Sequence, residues 1–574
     1  MPGAHDEWER MPRTRSLPRL LVLLLLLLLL VLPASPLRAA PAASPAAGRD
    51  HVVVGMAQEP GTVNPLFAEM AASLSIIATL FTSDVQRDNT WRLFPQGVRA
   101  LPTLQDGTWA LRGTGMVLTW KVKPRAWHDG RRVSCDDYLF THTLAKDDQV
   151  PVVVRDLTRR IADVRCTDLP DGLDIVVEWG ERYAYANQTI TEHGALPRHL
   201  LEPLYRQNPG RMNEAGFGND PKVTVGDGRY RLVEWRKGSS LTVEAIPNHP
   251  IFGTPPIKSV TWRFIPDTNA LMANMLAGSI DAISTIGISF DQAVQLERLG
   301  AGRFKVFFEP GLVWEHIDFN LSNPLLQDIR VRRAIAHAVN REAIVQQLFQ
   351  GRQPVSHTYL PTRHPGYTDR VDRYPYDPGQ ARKFLKEAGY FPDLDGTLRN
   401  AAGNRLVLEL NTTAGNRLRE QVAQIIQADL RRVGIGLTIK NYPARVLLGD
   451  ITNKRSFPGL VMYAWILSPT SDCDSLYTSD GIPRARNGWS GQNYPGYVNA
   501  TMDARCKAAS REIDEGKRNL LLNETAVIFS RDLPALPLYV RAQVAAAKAG
   551  LQNFVAVQLS GTYETWNVHR WVWE

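Results

Sequence analysis

Val225–Pro250 reads VGDGRYRLVEWRKGSSLTVEAIPNHP. Gly226 and Gly228 punctuate its start, and apolar residues follow at Tyr230, Leu232, Val233 and Trp235. Arg236–Ser240 is polar and contains a glycine, after which Leu241, Val243 and Ala245 alternate with polar neighbours. Near period-two patterning on both sides of a short polar turn predicts a β-hairpin, with the glycine pair setting a tight turn before it.

Outward from this hairpin, strand and helix signals interleave. His51–Ala57 reads as a short strand. Ala71–Phe81 reads as a helix with Leu74, Ile77, Ala78 and Phe81 on one face. Val117–Val122 alternates as a strand, and Ser134 with Asp137 forms a capping pattern for the next helix. Val260–Ile265 and His316–Asn320 are strands, each followed by a capped helix, with Asp267 and Asp328 as the caps. Asn340 starts a further helix. Asp377-Pro378 opens another with proline at the first helical position. Leu418–Val433 is a longer helix closed by Gly434, and Ile435–Ile439 is the strand after it. This interleaving predicts an α/β fold with mixed sheets.

The chain has 574 residues, enough for about three domains after any leader is removed. Its 44% apolar and 22% charged content is that of a globular protein. A formal charge of +8 with no dense Lys/Arg run argues against nucleic acid as a partner. No fixed-period repeat is present, which excludes a solenoid.

At the N-terminus, Arg13, Arg15 and Arg19 precede the 13-residue apolar run Leu20–Leu32, and small residues including Ala39, Ala40, Ala42 and Ala43 follow. This order predicts a signal peptide over 1–40, with Met11 as an alternative start. An uncleaved anchor is the rival reading, but the run is shorter than the ~20 residues a spanning helix needs. Residues 41–50 are expected to form a disordered tail. No cysteine near the cleavage region could accept a lipid. The mature protein is expected to be free in the periplasm of a two-membrane bacterium.

Cys135, Cys166, Cys473 and Cys506 include no C-x-x-C pair, so neither a zinc site nor a redox motif is expected. An even count in an exported protein points to disulfides, for which three pairings are possible; buried free thiols are the alternative. Catalytic signatures are missing. There is no G-x-S-x-G (Gly488–Gly491 is one residue short), no H-E-x-x-H and no Walker A sequence. His128 beside Asp129 reads as part of a structural turn, and the remaining histidines lack ligand spacing. No catalytic residue, metal or cofactor is expected.

Several blocks resemble family 5 of the extracellular solute-binding proteins, the ligand-binding components of ABC importers for peptides, nickel and related ligands. The hairpin resembles that family's G-x-G-x-Y…W…L pattern. Glu59-Pro60 with Asn64-Pro65 resembles its opening E-P-x-x-L-N-P, and Trp127-His128-Asp129-Gly130 its F-H-D-G turn. Asn269–Ile283 and Tyr376–Leu385 resemble two further blocks. The most specific match is Phe319–Ile344, FNLSNPLLQDIRVRRAIAHAVNREAI, against F-N-x-x-x-P-x-D-x-R-V-R-x-A-x-x-x-A-x-D/N-R-x-x-I.

The resemblance implies a two-lobed periplasmic-binding-protein type II fold in its large three-domain form. Domain I would comprise 51–93, 213–311 and 537–574, domain II 94–212 and domain III 312–536. With those lobes, Cys135–Cys166 and Cys473–Cys506 are the favoured disulfides. The implied function is periplasmic capture of a peptide or peptide-like solute by hinge closure, as a monomer, and delivery to a membrane permease with separate ATPase subunits. The missing ATP site agrees with the receptor side of such a system. A nickel chelate, haem, an opine or a sugar is the alternative cargo, and a secreted hydrolase or sensor domain the alternative class.

The resemblance also indicates a ligand region in Val461–Trp489. Tyr463, Trp465 and Trp489 would supply stacking surface, with core packing as the alternative. Arg486, with Arg484 nearby, would meet a ligand carboxylate, and Glu59 of the opening motif is a further candidate. Peptide-binding members carry W-x-x-D here, the Asp pairing with the peptide's amino end. This chain places Trp465 or Ile466 at that position, and Asp472 and Asp474 are the nearest substitutes.

Overall fold

The computed structural model describes residues 49–574 apart from 69, 153, 215, 301, 395, 444–445, 471–472, 488, 490 and 560–561. The signal-peptide reading, the tail to residue 48 and Asp472 lie outside the described residues.

The hairpin forms from β6 (Tyr230–Arg236) and β7 (Ser240–Ala245), paired from Tyr230↔Ala245 to Arg236↔Ser240. A register irregularity between Leu232 and Glu234 follows the break in apolar alternation at Val233. Gly238 takes φ +75° in the turn, a conformation glycine adopts without steric cost. The other glycine pair acts differently from expectation. Neither Gly226 nor Gly228 has a positive φ or makes a tight turn. Both lie against the end of helix α1 (Ala71–Leu80), where the Gly228 amide donates to the Leu80 carbonyl at 2.8 Å.

The hairpin is one edge of a ten-stranded sheet of order β12-β11-β13-β10-β14-β9-β1-β8-β7-β6. The other strands are β1 (His51–Met56), β8 (Ser259–Phe264), β9 (Ala282–Ile283), β10 (Phe304–Phe319), β11 (Val407–Thr413), β12 (Gly436–Tyr442), β13 (Leu460–Ile466) and β14 (Ala535–Lys548). β1 runs parallel to β8 and β9, and β11 parallel to β12 and β13; the remaining pairs are antiparallel. The long neighbours β10 and β14 link the two ends. Their ladder is irregular at two places: between Pro310 and Trp314, where Gly311, Leu312 and Val313 stand opposite Arg541 alone, and between Glu315 and His316, where Leu538 has no counterpart.

A separate antiparallel sheet has the order β2-β3-β5-β4, from β2 (Trp109–Arg112), β3 (Gly115–Val122), β4 (Ile161–Leu169) and β5 (Gly172–Trp179). Helix α2 (Cys135–Lys146) lies against β4, and a Cys135–Cys166 disulfide joins them. A second disulfide, Cys473–Cys506, ties the segment after β13 to helix α5 (Ala500–Arg511).

Apolar cores lie on either side of the long strands. One gathers Phe319, Ile335, Ile426 and Leu460 with helices α3 (Ile329–Ala338) and α4 (Arg417–Arg432). Another gathers Val52, Val54, Tyr230, Leu241 and Trp262. The small sheet has its own, around Leu118, Trp120, Tyr138 and Ile175.

One core histidine makes stability pH-dependent. His142 on α2 is buried, and neither ring nitrogen has a hydrogen-bond partner among the described residues. Burial pushes its pKa down to about 4, and the nearby Lys146 charge acts in the same direction. The unfolded chain therefore binds more protons than the folded one below the ordinary histidine range. The stabilising contribution is fully present above about pH 6.5 and is lost as the pH falls toward 4. We expect the wild type to lose on the order of 2 kcal/mol between pH 7 and pH 4.5 relative to His142→Phe, compared by urea unfolding at the two pH values.

Candidate functional site

Helix α1 is apolar on more than one side. Ala72, Ile76 and Leu80 are buried in the core. Leu74, Ile77, Ala78 and Phe81, the face visible in the sequence, line a cavity of about 400 Å3 instead. Its other walls include 82–87, Leu93, Gln188, Thr189, 192–195 and Tyr563. A second cavity of about 300 Å3 shares Arg87, Leu93 and Gln188 with the first. The two are neighbours, and both volumes fall in the range of small-molecule sites.

The second cavity is walled by two distant parts of the chain. Trp91, Leu93, Tyr185 and Gln188 form one side; Pro365, Pro469, Ile513 and Leu522 form the other. Beside it, Trp91 and Trp566 share one apolar cluster with Leu312, Trp314, Leu467 and Phe529.

Two arginines give this cavity its chemistry. Arg87 ends the short strand Val85–Arg87 and stands where the two cavities meet. Its Nη1 donates to the Trp91 carbonyl at 2.9 Å and its Nη2 to Gln188 Oε1 at 2.7 Å. Burial lowers its pKa, partly offset by Glu515. Arg518, on helix α6 (Glu515–Asp532), is 7% exposed. Its Nη1 donates to the carbonyls of Glu512 (3.0 Å) and Ile513 (3.2 Å), and its guanidinium lies 4.7 Å from the Tyr185 ring centre.

The residues expected from the sequence lie elsewhere. None of Tyr463, Trp465, Trp489, Arg486 or Glu59 lines either cavity. Tyr463 is 2% exposed and donates its hydroxyl to Asp318 Oδ2 at 2.6 Å. Burial holds that phenol well above its ordinary pKa. Trp465 is half-buried and stacks on Tyr494 with centroids 5.6 Å apart. Trp489 is exposed with φ +62°, and Arg486 is exposed in the turn Ala485–Asn487. Both Glu59 carboxylate oxygens are engaged by the hairpin, accepting from Trp235 Nε1 and from the Gly238 amide, each at 2.9 Å. Tyr463 and Trp465 do meet edge-on at 5.3 Å, as packing on β13.

Sequence reasoning missed Arg87, Gln188 and Arg518, which belong to no motif. The apolar stripe of α1 was the one available signal, because a helix apolar on two faces covers more than one core. A larger depression of about 580 Å3, lined by Asp156, Arg159, Arg160, Gly180 and Glu181, is open to solvent and partly occupied by the Arg160–Glu181 ion pair. Among the described residues no three His, Cys, Asp or Glu side chains converge as a metal site.

Comparison with known proteins bears on this geometry. Residues 102–484 match the family described as bacterial extracellular solute-binding proteins, family 5 middle. The oligopeptide-binding protein AppA of Bacillus subtilis is 25% identical over 543 residues, covering 92% of each chain. The crystal structure of an oligopeptide-binding protein of Thermus thermophilus, complexed with a pentapeptide, superposes with a TM-score of 0.66 at 30% identity. That match covers 91% of this chain and 96% of the other. NikZ of Campylobacter jejuni, in complex with Ni(L-His), superposes with a TM-score of 0.68 at 22% identity, covering 91% and 99%; this likeness concerns the fold alone.

Proposed function

The chain belongs to family 5 of the bacterial extracellular solute-binding proteins, two-lobed α/β proteins of the type II periplasmic-binding fold, and from this we propose that it captures a peptide or peptide-like solute between its lobes. The observation that carries the proposal is the cavity of about 300 Å3 walled from both sides, by Trp91, Tyr185 and Gln188 against Pro365, Pro469 and Arg518. Such a space exists only while the two walls are together, so binding is linked to closure. Hinge closure excludes water, and the closed form then docks on an ABC permease driven by separate ATPase subunits.

The domain limits proposed are 51–93, 213–311 and 537–574 for domain I, 94–212 for domain II and 312–536 for domain III. The separate small sheet within 109–179 supports the inserted domain, and the ladder interruption at Gly311–Val313 supports the crossing point. Members of the family act outside the cytoplasmic membrane. Release into the periplasm after leader cleavage, with no lipid anchor, rests on the Arg13–Ala43 pattern. A monomeric binding protein without catalysis agrees with the missing nucleophile motifs and with relatives named as binding proteins.

The test is native mass spectrometry of protein purified gently from the periplasm, followed by denaturing release and small-angle scattering with and without the released compound. A co-purified peptide mixture that compacts the protein is expected. A protein whose dimensions respond to none of the compounds it carries, and whose deletion leaves peptide uptake unchanged, rules the function out.

A further inference from the structure

We propose that the solute is anchored by a carboxylate held between Arg87 and Arg518, with an adjoining apolar group in the larger cavity. This rests on the reading of the interlobe space as the binding site.

The two guanidiniums line the same cavity from parts of the chain far apart in sequence. Neither has a carboxylate within ion-pair distance among the described residues; their hydrogen bonds go to backbone carbonyls and to the Gln188 amide oxygen. Arg518 is more than nine-tenths buried. The other charged groups facing the space are Arg92, which is exposed and paired to Asp88 at 3.4 Å, and Glu515, which is exposed and hydrogen-bonded to neither arginine but acts on Arg87 through space. Buried charges are normally paired, because an uncompensated charge out of water costs several kcal/mol. Buried Arg518 and half-buried Arg87, with one exposed carboxylate beside them, leave the space a net positive charge that an anion brought in from outside would compensate.

A carboxylate suits the geometry, since its two oxygens can accept from two guanidinium forks at once. Arg87 stands where the cavities meet, so a carboxylate there directs the neighbouring part of the solute toward Leu74, Ile77, Phe81 and Leu93. The class is a short peptide-like acid with an apolar group next to its carboxylate. The carboxylate can be the chain end or an acidic side chain.

The experiment measures binding of three probes to the full mature protein: a random tripeptide mixture as free acids, the same mixture as C-terminal amides, and amides carrying one Glu. Free acids are expected to bind about 10- to 100-fold more tightly than plain amides, the span of one or two hydrogen bonds to a charged group. Arg87→Gln is expected to shrink that ratio below about 3-fold while amide binding is retained; Arg518→Gln provides the same reading if it folds. Recovery by the Glu-bearing amides supports the carboxylate anchor and assigns it to a side chain. Its absence, with the acid preference intact, supports the anchor and assigns it to the chain end. Equal binding of acids and amides, or a preference that survives Arg87→Gln, overturns the anchor and leaves peptide capture standing. No binding of any probe overturns both.

Discussion

Arg125→Met is expected to lower the unfolding free energy by about 3–5 kcal/mol, the cost of removing one partner from a buried ionic network. The Arg125 side chain is 2% exposed and lies 3.1 Å from Asp84 and 2.5 Å from Asp227, both of them buried. Its Nη2 also donates to the Tyr138 hydroxyl at 2.8 Å, which in turn donates to Asp84. Asp227 accepts from the Thr82 amide at 2.9 Å and so ties the hairpin approach to the end of α1. Without the guanidinium, two carboxylates face each other in a dry site. Burial already holds the Asp84 carboxyl above its ordinary range, so part of the deficit will be met by proton uptake. Guanidinium unfolding checks this, as a lower midpoint at unchanged slope. The double variant Arg125→Met/Asp227→Asn should recover part of the loss, because only one buried carboxylate then remains.

Gly226→Ala is expected to cost at least about 3 kcal/mol, the upper end of the overpacking range. An added Cβ would stand 2.0 Å from the Leu80 carbonyl oxygen, a backbone atom that no rotamer change can move. Its own carbonyl accepts from the His128 amide at 2.8 Å, so retreat breaks a second contact. Gly238→Ala is the control. Gly238 has φ +75° and nothing within 4 Å of the added carbon, so only the left-handed backbone penalty of about 1–2 kcal/mol applies. Thermal unfolding of the two variants side by side separates close approach from conformational freedom; equal losses would refute the packing argument for Gly226.

Local signals were readable because their causes are local. Asp328 accepts from the Arg330 amide at 2.8 Å, Asn340 from Ala343 at 2.9 Å and Asp377 from Gln380 at 2.9 Å, so each cap is decided within three residues. The hairpin was legible for the same reason. Strand order was not, because β10 owes its 16 residues to partners on β13 and β14 that are far away in sequence. The candidate site was the least legible part. Arg87, Gln188 and Arg518 come from three remote stretches, and nothing near any of them marks it. Tyr463 has the composition of a binding aromatic, but Asp318, far upstream and on the neighbouring strand, holds its hydroxyl and buries the ring. The stripe Leu74, Ile77, Ala78 and Phe81 was visible, yet only the fold shows that it borders a cavity.

The interrupted pairing of β10 with β14 bears on how one end of the sheet would move against the other. On one side of the interruption the ladder runs from Phe304↔Lys548 to Pro310↔Ala542, and on the other it resumes at Trp314↔Val540. The swing proposed for closure would be taken up as torsion in the few residues between, while both ladders keep their partners. The ribbon is an indexed spring: it twists but cannot slip, because a one-residue slip would turn every side chain to the wrong face. Under the proposed closure the two walls would therefore come back to the same alignment on each cycle.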